Sequence, residues 1–297
     1  WPERIDAWKD ASPATHICHD LAAALAQPID AVVVEGAVAE NVALAQAAVE
    51  AGRSVLLEKP GGPDWQAYER LTKTAARQNA AIQMTYLFRY MAAIEALFQF
   101  AQAGHFGHIY EFRGRLPKEL SLYTEHEQEF AQFGGGMFFE MGGHLIDFAV
   151  HLLGPPSKVH GVLRHDRSMA PQGRASSSKF IDNAVALLEH EAAVSILEVT
   201  ALESAPNSRR IEVYGTEGAF VIPHLGSGHM ANNATQDYWT WTKGQADWQH
   251  HAPAAATLQI RDLREFAAVL RGEKEPEYSA EHDSCVQRTL LEACGMR

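Results

Sequence analysis

The stretch GGGMFFEMGGHLIDFAVHLLG, residues 134–154, carries Glu140, His144, Asp147 and His151 at i, i+4, i+7 and i+11. On a helix these positions share one narrow stripe. Every other face is apolar, from Phe139 and Met141 through Leu145, Ile146 and Phe148 to Leu152 and Leu153, so the helix reads as buried nearly all round. An ionised group there is costly unless something pairs with it. His144 titrates near neutrality and suits proton transfer at a reacting hydroxyl. For Asp147 two readings stay open, a contact to substrate or a partner for an arginine, and His151 reads as a satisfied core histidine. All four groups are admissible metal ligands, but one helix rarely wraps a metal alone and no second ligand-bearing motif accompanies this one, so no metal is expected.

A second candidate sits at a strand end. SVLLEK, residues 54–59, runs straight into Pro60-Gly61-Gly62, which places Glu58 and Lys59 at the carboxyl end of an apolar strand. In open parallel sheets that edge is where ligands bind. A solvated lysine closing an ordinary strand is the alternative, and a Lys-Pro peptide is one that can be cis.

The elements that position these groups fall into two textures. From Ile29 a buried strand (IDAVVVE), a helix (ENVALAQAAVEA), the strand SVLLEK, a helix opening at Pro63 and a strand (AIQMTYL) follow one another. Short apolar strands alternating with helices imply parallel βαβ units. After Ala103-Gly104, the helix of residues 134–154 apart, strand follows strand: HIYEFRGR, VHGVLRH, AVALLEH, AVSILEVTAL, RRIEVYG and AFVIP. Short turns between alternating strands imply a mainly antiparallel sheet. Two helices close the chain, and the segments Ser168 to Lys179 and Gly226 to Pro253 read as loops, with the pair His250-His251 on the surface of the second. Two domains therefore meet between residues 86 and 105.

At 297 residues and 46% hydrophobic the chain has enough material for two cores, and no apolar run approaches the roughly 20 residues of a membrane span. A formal charge of -12 without a Lys/Arg cluster argues against nucleic acid or an anionic membrane as partner. Small molecules and further copies of the chain remain. Cys18, Cys285 and Cys294 are an odd count with no C-x-x-C spacing, so neither a disulfide framework nor a structural zinc is suggested and a reducing cytoplasm fits. Because the chain opens on Trp1, a preceding segment is expected, and any export signal would lie there.

AVEAGRSVLLEKP, FRYMAAIEALFQFAQAGHFGHIYEFRGR, GGGMFFEMGGHLIDFAVHLLG, IEVYGTEGAFVI and YSAEHDSCVQRTLLEACGM stand in that order along the chain. In these segments the sequence resembles the Gfo/Idh/MocA oxidoreductases, the glucose-fructose oxidoreductase and inositol dehydrogenase family. The resemblance implies an α/β protein with a Rossmann-type NAD(P)-binding domain over residues 1–86, incomplete at its start. It implies a substrate and oligomerisation domain over residues 87–297, whose large open sheet would support a homodimer or homotetramer. WPERIDAWKDA looks like the second Rossmann helix, so the G-x-G-x-x-G turn is expected upstream, in a unit of roughly 30 to 40 residues.

By the same resemblance Lys59 matches the catalytic lysine of an E-K-P motif and His144 the catalytic histidine. Glu140 stands where the family usually has the aspartate of D-x-x-x-H. Gly36, Ala37 and Asn41 occupy the loop where T-P-N is common, and with Glu58, Lys59 and Pro60 they are the expected cofactor contacts. Tyr86, Arg89, Arg115 and Asp147 are the expected substrate contacts, with salt-bridge roles as alternatives for Arg89, Arg113 and Arg115. The implied activity is hydride transfer between NAD or NADP and a secondary alcohol or ketone of a sugar, cyclitol or related polyol. Two alternatives stay open: redox-neutral, NAD-dependent glycoside cleavage, and a non-catalytic nucleotide-sensing regulator.

Overall fold

Val32, Val33 and Val34 make up all but the first residue of a short strand because β-branched side chains suit a pleated surface. That strand, β1 (Ala31–Val34), pairs in parallel with β2 (Ser54–Leu57), which pairs in parallel with β3 (Ile82–Met84). The computed structural model describes residues 17–119, 127–166, 180–203, 209–226, 236–253 and 258–297. WPERIDAWKDA and the segment Ser168 to Lys179 lie outside them. A short helix α1 (Leu21–Leu25) precedes β1, and α2 (Val38–Glu50) and α3 (Trp65–Gln78) connect the three strands. Asp64 caps α3 by accepting from the amides of Gln66 and Ala67, and Asn79 closes it in the left-handed region at φ 52°.

A 3₁₀ turn, Leu87–Tyr90, and helix α4 (Ala92–Gln102) lead to the second sheet. Its strands are β4 (Ile109–Glu119), β5 (Lys158–Arg164), β6 (Asn183–Glu189), β7 (Val194–Glu203), β8 (Arg210–Gly215), β9 (Gly218–Ile222), β10 (Tyr238–Thr242) and β11 (Gln249–His251), in the spatial order β11-β10-β9-β8-β4-β7-β6-β5. All neighbours are antiparallel except β4 with β7, which run parallel at the centre. The fold is thus a parallel Rossmann-type sheet joined to a large mixed, mainly antiparallel one. β10 and β11 lie inside the segment Gly226 to Pro253, where the sequence predicts a loop. The alternation Tyr-Trp-Thr-Trp-Thr was a strand signal, masked by the surrounding His, Asn and Gly. His250 and His251 are accordingly strand residues, and His251 packs its ring on Tyr238 at 4.6 Å.

A four-residue helix α5 (Glu127–Phe130) precedes α6 (Gly136–Leu153), the helix that carries the ionisable stripe. From Met137 to Val150 every residue of α6 is buried except Glu140. It lies across the inner face of the second sheet, close enough at Gly114 of β4 that a Cβ there would sit 2.6 Å from Leu145. The chain closes with α7 (Leu258–Leu270) and α8 (Ala280–Ala293), the latter packed on α6 and burying Val286, Leu290 and Leu291. No helix among the described residues is long and apolar enough to cross a membrane.

The start of α6 depends on one glycine. Gly136 has φ 47°, and a Cβ on it would meet the Ile181 carbonyl oxygen at 2.5 Å, while the next amide, Met137, donates to that same oxygen at 2.8 Å. Left-handed strain and the backbone clash act together in Gly136→Ala, for an expected loss of roughly 2–4 kcal/mol. A denaturant midpoint equal to that of the parent protein would refute this.

Candidate active site

The carboxyl edge of the first sheet gathers the ends of β1, β2 and β3. After β2, Lys59 donates its backbone N–H to Thr85 Oγ1 at 3.3 Å, and the Thr85 hydroxyl donates in turn to Glu58. The Lys59–Pro60 peptide is cis. Beyond it, Gln287 of α8 grips the loop from both sides: its Oε1 accepts from the Gly61 amide at 3.0 Å and its Nε2 donates to the Gly62 carbonyl at 2.7 Å. Gln287 is fully buried, so a residue near the chain's end fixes the loop that carries Lys59.

Lys59 reaches across to α6. Its Nζ donates to the main-chain carbonyl of Glu140 at 3.2 Å and to Glu140 Oε1 at 3.4 Å. Burial alone would lower the Lys59 pKa, but the carboxylates of Glu140 and Glu58 outweigh it and hold the ammonium above its ordinary range. The Glu58 carboxyl moves upward instead, chiefly through burial. Lys118 of β4 approaches the same Glu140 oxygen at 3.8 Å.

One turn along α6, His144 is 4% exposed, stacked on Phe88 at 4.2 Å and met edge-on by Tyr86 at 5.8 Å. Burial, reinforced by the positive charge of Lys59, pushes its pKa down to about 3, so the imidazole is neutral at working pH. Among the described residues neither His144 Nδ1 nor the Tyr86 hydroxyl has a hydrogen-bond partner, and both are buried. Tyr86, expected to touch substrate, is 1% exposed and instead walls the histidine.

Deeper on α6 the stripe changes character. Arg89 is 3% exposed and its Nε and Nη2 meet Asp147 at 2.9 and 2.6 Å, while Nη2 also meets Asp283 of α8 at 2.7 Å. His282 reaches Asp147 at 2.8 Å, and the Tyr278 ring lies 3.5 Å from the guanidinium. Burial would raise the Asp147 pKa, but Arg89 and His282 overcome it and hold the carboxyl at about 2. Asp147, His282 and Asp283 bring ligand atoms within 4.8 Å of one another, and Arg89 supplies the positive charge among them. Arg89 and Asp147 were expected as substrate contacts; both are spent on this internal network, because a fully buried carboxylate is stable only when paired.

Other expectations also move. Arg115 sits on the outer face of the second sheet, paired with Glu203 at 2.8 Å, and Arg113 pairs with Glu111 at 2.5 Å. Residues 113 and 115 of a strand point away from the face that residues 114 and 116 bury, so neither arginine looks toward His144. His151 is exposed at the end of α6, with its ring against Phe98 at 4.1 Å, rather than in the core. Asn41 is fully buried, and its Oδ1 accepts from the Gly36 amide at 2.9 Å, so it shapes the β1–α2 loop from beneath instead of facing a ligand. Gly36 and Ala37 remain at the loop, and the first amide of α2, Val38, donates to Glu129 Oε1 of α5 at 2.8 Å. Sequence reading missed Thr85, Lys118, Glu129, Arg209 and Gln287; none belongs to a spaced motif, and each arrives from an element remote in the chain.

A cavity of about 650 Å³ opens between α4 and the strands β9 to β11, lined by Phe100, Tyr238 and His251 among others. None of Lys59, Glu140 and His144 lines it, so the convergence of ionisable groups rather than volume marks the candidate site.

The family models agree with this architecture. One described as "Oxidoreductase family, NAD-binding Rossmann fold" matches residues 4–86, and one described as "GFO/IDH/MocA C-terminal domain" matches residues 94–221. The chain belongs to the Gfo/Idh/MocA oxidoreductase family, and its first domain is the NAD-binding Rossmann domain of that family. Among curated proteins it is similar to an uncharacterised oxidoreductase of Schizosaccharomyces pombe, 25% identical over 184 residues, which are 59% of this chain and 47% of that protein. The match thus spans about half the relative's length.

Two solved structures show the same fold. An oxidoreductase from Agrobacterium radiobacter in complex with NAD+, L-tartaric acid and magnesium superposes with a TM-score of 0.81 at 16% identity, covering 99% of this chain and 86% of that one. The WlbA dehydrogenase from Bordetella pertussis, in complex with NADH and UDP-GlcNAcA, superposes with a TM-score of 0.75 at 20% identity, covering 99% and 85%.

Proposed function

We propose that this chain acts as an NAD(P)-dependent dehydrogenase or reductase on a secondary alcohol or ketone of a sugar, cyclitol or related polyol. The observation that carries the reading is the meeting of Lys59, from the carboxyl edge of the Rossmann sheet, with Glu140 one turn before a neutral, buried His144. Similarity to an oxidoreductase crystallised with NAD+ and to a dehydrogenase crystallised with NADH and UDP-GlcNAcA supports the same class.

The edge residues suit the expected cofactor. Gly36 and Ala37 carry no bulk beyond a methyl group, so a ligand can approach the backbone where β1 ends and α2 begins, and Glu58, Lys59 and Pro60 flank it. A bound nicotinamide supplies the two-electron redox chemistry. Lys59 then holds the reacting oxygen through its ammonium and stabilises the alkoxide character that develops there. His144 Nδ1 is buried without a partner among the described residues, which leaves Nε2 as the nitrogen that can take the hydroxyl proton. As the carbon is oxidised that proton becomes strongly acidic, so a weakly basic imidazole is sufficient provided it is neutral. Glu140 orients Lys59 and offsets the charge that His144 gains.

Lys59→Ala is expected to raise KM and to lower kcat by about 10²-fold or more, since it removes both the oxygen contact and the charge. Titration of NADH and NADPH, followed by nicotinamide fluorescence, tests the reading directly. Saturable binding together with polyol oxidation supports it, and absence of binding by both cofactors would sink it. Homo-oligomerisation through the outer sheet face is part of the proposal. Val162, Val185 and Leu187, 59%, 37% and 37% exposed on neighbouring strands, support it, and a monomer by analytical ultracentrifugation would count against it.

A further inference from the structure

Three cations, Lys59, Lys118 and Arg209, act on Glu140, one turn before His144, and two of them are outside every motif of the sequence. Lys59 Nζ and Lys118 Nζ lie 3.4 and 3.8 Å from the same oxygen of Glu140. Arg209, which enters just before β8, donates its Nε to the Pro117 carbonyl at 3.2 Å and sets its guanidinium 5.8 Å from the Phe88 ring, the ring that stacks on His144 at 4.2 Å. Among the described residues no carboxylate stands within ion-pair distance of Arg209, although the residue is half-buried. A guanidinium removed from bulk water normally has a carboxylate or phosphate partner, because its desolvation is otherwise uncompensated. Two carboxylates face the group, Glu140 and, behind Lys59, Glu58 at 3.9 Å from Nζ.

We infer that Lys118 and Arg209 form an oxyanion-binding subsite beside His144, and that the substrate of this chain carries a carboxylate or phosphate group near its reacting carbinol. The inference rests on reading this cleft as the substrate site. Arg209 supplies nitrogens in a planar fork suited to a two-oxygen anion, and Lys118 supplies a point charge shared with Glu140. Burial lowers the pKa of both groups, opposed in each by Glu140 and, for Lys118, reinforced by the neighbouring Lys59 and Arg209. An acidic substrate therefore relieves a repulsion already built into the cleft. A neutral polyol of the same shape leaves it in place.

The test is calorimetric and needs no turnover. With the protein saturated in NADH, hexitols are titrated beside the hexonates and hexitol 6-phosphates of matching configuration: sorbitol, mannitol and galactitol against gluconate, mannonate and galactonate and the three phosphates. At least one anion is expected to bind about tenfold or more tightly than its neutral counterpart, with the preference shrinking as salt rises. Whether that anion is a carboxylate or a phosphate identifies the source of the charge. Arg209→Gln and Lys118→Gln should each remove about tenfold of that preference, Arg209→Lys should restore part of it, and NADH affinity should stay within about threefold of the parent value. Equal affinity for neutral and charged members, failure of every anion to bind while NADH binds, or loss of NADH affinity with the anion preference unchanged would each overturn the inference. If neither cofactor binds but the anion preference and its dependence on Arg209 persist, the dehydrogenase reading fails and the subsite stands.

Discussion

Replacing His144 with alanine is expected to lower kcat by about 10²-fold or more while leaving NADH affinity nearly unchanged. The loss falls on turnover because the imidazole, 4% exposed between Phe88 and Tyr86, has little surface to offer in binding. The pH profile of the parent protein sharpens the test. A histidine at its ordinary value would give kcat/KM an acid limb near pH 6.5, whereas burial and Lys59 hold this one at about 3. The limb assigned to His144 should therefore be absent between pH 5 and 8. Stability follows the same proton. Between about 3 and 6.5 the unfolded chain takes up a proton that folded His144 refuses, so stability falls as pH drops through that window, by an amount on the order of a few kcal/mol. His144→Phe, which keeps the stacking but cannot titrate, should be less sensitive to acid. An unchanged kcat in His144→Ala would remove the residue from the mechanism.

The largest expected effect on stability belongs to Arg89→Ala, a loss of about 3–5 kcal/mol at neutral pH, read from chemical denaturation. The arginine is the shared partner of two buried carboxylates, and its removal leaves Asp147 and Asp283 facing each other with only His282 to compensate. The deficit has a definite pH dependence. In the parent protein the Asp147 pKa is held at about 2, so its contribution is complete above the unfolded value near 3.9 and is lost as pH falls toward 2. In the variant the uncompensated carboxylates prefer to be protonated, which raises their folded pKa and reverses the sign. The gap between variant and parent should thus narrow on acidification from pH 7 to 4. A gap that is constant with pH would mean lost packing against Tyr278 rather than lost charge is responsible.

Sequence pattern and structure part company at identifiable residues. Periodicity located α2, α3, α6 and most strands because their burial patterns are regular; a strand end and a helix stripe are local patterns that single out Lys59 and His144, and the roles expected of them come from the family resemblance. The sequence offers the pairing of Arg89 with Asp147 only as one of two alternatives: 58 residues separate the two, and spacing along a chain carries no information about which buried charges meet. Lys118 and Arg209 were invisible for the same reason. β10 and β11 were lost to composition, since a Trp- and His-rich segment gives no clean alternation until its partner β9 is known.

Gln287 ties these threads to synthesis. The amide and carbonyl that it holds, at Gly61 and Gly62, lie more than 200 residues earlier in the chain, directly after Lys59 and Pro60. A nascent chain can form the three parallel strands as soon as they emerge, since their contacts are local, but the loop beyond β2 has no partner for its buried polar groups until α8 has left the ribosome. The Rossmann sheet is therefore made before the second sheet but finished after it. Catalytic competence should appear only once α8 has emerged, and a polypeptide truncated before Gln287 should keep its Rossmann strands while leaving Lys59 unfixed.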